Sequence, residues 1–260
     1  LLIYIPIFFM AGSVFANNEI YITQVGTSNN FTLDITQDGD DNVVQLSVSH
    51  DNNTIDIDQE GNNNTVSWVS YWGSGQNWGG DLDGSGNTLK FEQFNTTGTD
   101  ANRIGFHINT NDNTVHVCQG KTFDNSSDTT CESTTTSEYG GHTVNIDLHS
   151  GDTNLKGSQE TGTGNADHEA RVYTYGGENN DIFFKQSGNG DKFLQLIVRT
   201  DNGEQEVIQA GNGDHTATID LTGSYTTDLS LTQNSGTNQS YTLTNKNCTQ
   251  TSCSATVTQN

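Results

Sequence analysis

The sequence predicts an all-β fold, a two-sheet β-solenoid of about nine strand-turn-strand rungs. Three observations lead there. Apolar residues recur with a strict period of two, the motif Gln-x-Gly-x-x-Asn keeps returning, and the chain is rich in Gly, Asn, Thr, Asp and Ser with a single Pro, Pro6. A period of two places alternate side chains on opposite faces of a strand. A unit that returns every few tens of residues is the signature of stacked repeats rather than of one irregular core.

Residues 1–16, LLIYIPIFFMAGSVFA, are set apart first. An apolar run followed by small residues, with Val14 and Ala16 at positions −3 and −1, reads as a secretory signal peptide cut before Asn17. It is shorter than the roughly 18 apolar residues a membrane-spanning helix needs.

The repeat domain is read as 17–260. Its first strands are Asn18-x-Ile20-x-Ile22-x-Gln24 and Phe31-x-Leu33-x-Ile35-x-Gln37. Further copies are Asn53-x-Ile55-x-Ile57-x-Gln59, Asn87-x-Leu89-x-Phe91-x-Gln93 and Asn113-x-Val115-x-Val117-x-Gln119. Weaker copies follow around Gln159, Gln186, Gln209, Gln233 and Gln259. The residues between the apolar ones, such as Asp56, Asp58, Lys90 and Glu92, are polar, so each strand is expected to be half buried. Between successive copies lies a second alternating strand, for example Val44, Leu46, Val48 or Val144, Ile146, Leu148. Pairing strands in order, from 18–24 with 31–37 to 239–244 with 253–259, gives the nine rungs, a body roughly 40 Å tall at about 4.8 Å per rung. Loop insertions are expected near 71–86 and 120–141.

The motif itself reads as a rung corner. Gly26, Gly39, Gly61, Gly188 and Gly211 supply freedom for a tight reversal with positive φ. Inward amides would stack on their own copies, each donating to one neighbour and accepting from the other, so that a buried polar side chain stays satisfied. The expected ladder is Gln24, Asn29, Gln37, Asn42, Gln59, Asn64, Gln93, Gln119, Gln159, Gln186, Gln209, Gln233 and Gln259.

A stack of strand pairs leaves unpaired backbone groups at both ends, and such edges recruit further strands unless covered. No capping segment is visible, so the last rung of one molecule is expected to stack on the first rung of the next, a heterologous contact that generates an open filament. The expected interface is Ile20, Ile22, Leu33 and Ile35 at one end and Tyr241, Leu243, Ala255 and Val257 at the other.

Here the chain resembles the curlin family, the subunits of bacterial curli. QVGTSN, QDGDDN and QEGNNN match the family's Gln-x-Gly-x-x-Asn core in full, while QSGNGD and QAGNGD match with Asp in place of Asn. QFNTTGTDAN and QETGTGN depart from it. The resemblance implies a curli-like amyloid fold and export through an outer-membrane secretion pore. It further implies assembly into an extracellular fibre on a bacterial cell surface for biofilm matrix and adhesion, with a nucleator subunit as a further partner. The competing expectation is a monomeric secreted β-solenoid with capped ends that binds carbohydrate or acts as a surface adhesin.

Nine Lys plus Arg against 32 Asp plus Glu give a formal charge of −23, which argues against nucleic acid or anionic lipid as a partner. Asp38, Asp40, Asp41, Glu60, Asp191 and Asp214 fall at turns, where their repulsion would slow premature stacking. No membrane insertion is expected after signal cleavage. Four cysteines, Cys118, Cys131, Cys248 and Cys253, fit two disulfides in a secreted chain. Three connectivities are open, and local pairing of Cys118 with Cys131 and of Cys248 with Cys253 is the one expected. Tyr71, Trp72 and Trp78 are expected to cover the base of their own insertion.

No cofactor or metal is expected. Asp81, Asp83, Ser85, Gly86 and Glu92 fall at EF-hand spacing, but Glu92 belongs to a strand and no helices flank the stretch. The seven histidines, His107 and His116 among them, are read as solvated surface groups. No nucleophile-base-acid arrangement stands out, so the chain is expected not to be an enzyme.

Overall fold

The chain was analysed as a computed structural model, which describes residues 17–25, 30–49, 53–66, 81–83, 86–95, 101–108, 113–120, 141–148, 152–159, 168–199, 202–222, 227–234, 238–245 and 254–260. The expected signal peptide, Asn29, Tyr71, Trp72, Trp78, Cys131, Cys248, Cys253 and most of the two expected insertions lie outside them.

Among the described residues eighteen strands alternate between two sheets. The first sheet takes β1 (Ile20–Val25), β3 (Val44–Ser49), β5 (Asp81–Asp83), β7 (Phe106–Ile108), β9 (Val144–Leu148), β11 (His168–Tyr175), β13 (Lys192–Arg199), β15 (His215–Leu221) and β17 (Gln239–Asn245). The second takes β2 (Thr32–Gln37), β4 (Thr54–Gln59), β6 (Thr88–Gln93), β8 (Asn113–Val117), β10 (Thr153–Lys156), β12 (Asp181–Phe184), β14 (Gly203–Ile208), β16 (Thr227–Gln233) and β18 (Ser254–Gln259). Every strand pairs in parallel with the strand two places along the chain, so the path winds as a β-solenoid with two nine-stranded sheets.

The pairing is in register by residue type. Ile55 lies on Leu33 and under Leu89, Ile57 on Ile35 and under Phe91, Leu196 on Val172 and under Ile219. A slip of one residue would turn every one of these inward groups to water, which is why the apolar period fixes the register. The inward residues of both sheets meet in one continuous core from Ile35 to Leu231. Where one rung is oversized its neighbour is empty: Phe184 lies over Gly157, and a Cβ on Gly157 would stand 2.2 Å from the Phe184 ring.

The first sheet departs from the expected strand plan in one place. Val66 stands in line with Ile104, its N–H directed at Arg103 O, but the strand resumes only at β5, where Asp81 and Asp83 pair with Ser47 and Ser49. Asp81–Asp83 therefore belongs to the sheet rather than to the insertion expected near 71–86.

Candidate functional site: corner ladders and end rungs

Each Gln that ends a second-sheet strand points inward at the corner where the chain turns into the next first-sheet strand. Gln59 Nε2 donates to Gln37 Oε1 at 2.7 Å and Gln93 Nε2 to Gln59 Oε1 at 2.9 Å. Higher in the stack Gln119 donates to Gln159, Gln159 to Gln186, Gln186 to Gln209 and Gln209 to Gln233, at 2.6–2.8 Å. All eight are buried. Gln259 stands in register over Gln233 but is exposed, as the last rung of the stack. The same amides tie the corner shut, since Gln37, Gln119, Gln159 and Gln233 also donate across it to Val43, Thr143, Glu169 and Ser240 carbonyls.

Gln24 does not join this ladder. It lies on β1 in the opposite sheet, in register with Val48, because its strand is the first of its rung and the ladder runs along the ends of second strands.

The asparagines form their own columns. Asn64 donates to Asn42 Oδ1 at 2.7 Å and Asn102 to Asn64 Oδ1 at 2.9 Å, while Asn42 and Asn64 also reach Gly39 and Gly61 carbonyls. Asn102 belongs to one of the departing turns, and its signal was the phase of Asn102-x-Ile104-x-Phe106. At the opposite corner Asn87 Nδ2 donates to Asn113 Oδ1 and Asn87 Oδ1 accepts from Asn53 N–H. Turn geometry is divided between residue types: Gly39, Gly188 and Gly211 take positive φ, but after Gly61 it is Asn62 (φ 66°) that does so, in line with Asp40 (φ 63°). Exposed turn acids meet amides, Asn62 on Asp40 at 2.7 Å and Asn63 on Asp41 at 2.9 Å, so like charges do not stack there.

The amide direction reverses midway. In the glutamine column and the Asn42–Asn64–Asn102 column the side-chain N–H groups point towards the N-terminal end up to Gln93 and Asn102, and from Gln119 upward the glutamines point the other way, as Asn87 already does at the opposite corner. Gln93 Oε1 is met by Arg103 N–H at 3.2 Å, but Gln119 Oε1 and Asn102 Oδ1 are buried with no hydrogen-bond partner among the described residues.

Above Asn102 the corner column changes chemistry. Its next members are His142, His168, Lys192 and His215, each at most 1% exposed, and it ends at Gln239. The His142 and His168 rings stack at 4.7 Å and 20°. This corrects the reading of the histidines as surface groups: three of them stand at inward positions of the period-two pattern, where phase outweighs polarity. It also corrects the match of QSGNGD and QAGNGD with Asp in place of Asn, since those turns are one residue longer and Lys192 and His215, not Asp191 and Asp214, enter the column. His107 and His116 do lie on outer faces, half-buried, with His107 Nδ1 3.9 Å from Asp147 Oδ2.

On the outer face of the second sheet Asp34, Asp56 and Lys90 line up, beside Asp58 and Glu92. Lys90 Nζ stands 2.9 Å from Glu92, 3.3 Å from Asp56 and 3.7 Å from Asp58. Burial, then Asp56 and Glu92, push Asp58 up to about 6 against the pull of Lys90. Burial alone would lower Lys90, but the bond and charge of Glu92, with Asp58 and Asp56, raise it.

Cys118 is buried with a free thiol in this structure, it follows the inward Val117, and its N–H is held by Phe91 O at 3.0 Å; Cys131, its expected partner, lies outside the described residues. Among the described residues no three His, Cys, Asp or Glu side chains gather as a metal site.

The end rungs differ from the interior. Among the described residues β1 pairs only with β3, β2 with β4, β17 with β15 and β18 with β16. Ile20, Ile22, Leu33, Leu243 and Val257 are only partly buried, Ile35 is buried, Tyr241 is 44% exposed and Ala255 is exposed, although Tyr241 and Ala255 occupy the inward positions held inside the stack by Ala217 and Leu229. No protein-family model, curated protein or solved structure matches this chain.

Proposed function

We propose that this chain is a structural subunit of an extracellular, curli-like amyloid fibre that grows by stacking the β17/β18 rung of one copy on the β1/β2 rung of the next. One observation carries the reading: both end rungs have one unpaired edge among the described residues, and their inward columns are continuations of each other. Placing β18 under β2 of a second copy sets Ala255 and Val257 against Leu33 and Ile35 and brings Gln259 to Gln37, extending the buried ladder. Placing β17 under β1 sets Tyr241 and Leu243 against Ile20 and Ile22. The joint also avoids charge repulsion, since residues 229–260 contain no Asp or Glu and one Lys, Lys246, in a chain of net charge −23. An uncharged end on an acidic body favours end-to-end contact over side-to-side contact. The repeat's resemblance to curlin, export as a secreted protein and a role in biofilm matrix belong to this proposal.

The test is negative-stain microscopy and fibre diffraction on residues 17–260 released from denaturant. Filaments with a reflection near 4.7–4.8 Å along the fibre axis, absent for Val257→Asp, are expected. A wild-type protein that folds and stays monodisperse for days at high concentration would overturn the proposal and favour a monomeric binding module.

A further inference from the structure

The interior column His142, His168, Lys192, His215 is not used by the assembly reading and does not depend on it. Four basic side chains are placed on four successive first-sheet strands, His168 in register with Lys192 and Lys192 with His215, and His142 stacked ring on ring with His168. Strand spacing fixes their separation at about 4.8 Å. At that distance and at most 1% exposure, like charges repel with little solvent to screen them. Lys192 Nζ is held by Gly190 O at 3.1 Å, a neutral acceptor.

Among the described residues the surroundings supply little countercharge. Across the corner stand the neutral amides Gln119, Gln159, Gln186 and Gln209, with the Cys118 thiol beside the first of them. The next inward positions are Val144, Ala170, Leu194 and Ala217, all apolar, and the column is closed below by Asn102 and above by Gln239. Asp191 and Asp214 are exposed in the turns preceding Lys192 and His215, and Glu169 and Arg171 pair with each other beyond His168. Lys185, buried beside Gln186, adds a further cation; on the outward side of the sheet half-buried His107 faces Asp147, a buried carboxylate on β9.

We propose that this column makes the C-terminal half of the solenoid an acid-opened unit: imidazole protonation is incompatible with the stacked rungs, so β9 to β17 loosen in mild acid while β2 to β6, whose corner holds amides, stay closed. Burial holds His142 down at about 3. Burial and then Lys192 push His215 below its ordinary value against the pull of the Ala210 and Gln209 backbone and then of Asp214, and burial brings Lys192 down to about 8 against the pull of Asp191 and Asp214. A histidine depressed in the folded state leaves stability complete above its unfolded value near 6.5 and removes it as the pH falls below that value.

Hydrogen exchange of the full mature chain at pH 7.5 and 5.0, corrected for intrinsic rates, tests this. Amides of β11, β13 and β15 are expected to lose protection about tenfold or more, the factor for one pK unit of excluded proton, while β4 and β6 keep theirs. The variant carrying His142→Asn, His168→Asn, Lys192→Asn and His215→Asn restores an amide column and is expected to abolish the selective loss. Unchanged protection in β11–β15, or equal loss in β4 and β6, overturns the proposal. If that variant does not fold, histidine carbon resonances of the wild type decide: imidazoles that stay neutral until the protected amides are lost support it, and buried imidazoles that titrate near 6.5 in an intact stack overturn it.

Discussion

Between Asn42 and Asn102 the inward corner column is built of amides that hydrogen bond to one another; between His142 and His215 the same column, on the same backbone repeat, is built of imidazoles and one ammonium. The outer face of the first half titrates in the opposite sense. The first half carries Asp34, Asp56, Asp58 and Glu92 around one Lys90, and the carboxyl of Asp58, lifted to about 6, is held in its neutral form more readily folded than unfolded. Stability in that half rises as the pH falls from about 6 towards the ordinary carboxylate value, whereas in the second half it falls below about 6.5. A solenoid fixes its register with apolar columns and a glutamine ladder, and leaves the remaining positions free to set the response of each half to its surroundings.

The sharpest way to break the comparison is to cut the ladder at its reversal and again well above it. Gln186→Leu removes the acceptor of Gln159 and the donor to Gln209, leaving two buried groups unpaired at roughly 2 kcal/mol each, so chemical denaturation should show a loss of about 4 kcal/mol. Gln119→Leu should cost about half as much, because only Gln159 Oε1 loses its donor there while Thr143 O keeps the Ile104 N–H. Equal losses would mean that the reversal is of no energetic consequence.

Next in size is Gly157→Val, which drives a side chain into the Phe184 ring and should cost about 3 kcal/mol. Adding Phe184→Val should recover most of it, since the pair then carries two medium side chains in place of one large and none. A double variant as unstable as the single one would show that the swap of volumes is not the reason for the glycine.

Lys90→Met should destabilise the first half by about 1 kcal/mol at low salt and less at high salt, the scale of a half-exposed ion pair network. Its loss should be smaller at pH 5 than at pH 7.5, because protonated carboxyls no longer need the cation. Least of all, Asp214→Asn should change stability by under about 0.5 kcal/mol, as an exposed turn substitution, while lowering the Lys192 titration a little further by removing one of its two attracting charges. A Lys192 unmoved by that change would place Asp214 too far away to matter.

Much of this was legible beforehand. The alternation around Ile55, Ile57 and Gln59 marked a half-buried strand, and the glutamines marked a corner. Asn102 and Lys192 were missed for the same reason: each was judged by its residue type or by its local motif, whereas Asn102-x-Ile104 and Lys192-x-Leu194 carry the inward phase in plain view. The place of Asp81–Asp83 in the first sheet was not legible, since nothing local says that this stretch pairs with Ser47 to Ser49. Nor was the buried thiol of Cys118, because counting cysteines says nothing of which way one faces.

Sequence alone determined the two-strand rung, its register and the neutrality of the last rung, because these depend on short-range periodicity and charge count. Tertiary structure decided which polar groups met. Residues 22 to 40 apart in the chain come within hydrogen-bonding distance only once the rungs stack. The direction of an amide, the company of a histidine and the orphaned oxygen at the seam are properties of neighbouring rungs, not of any one repeat.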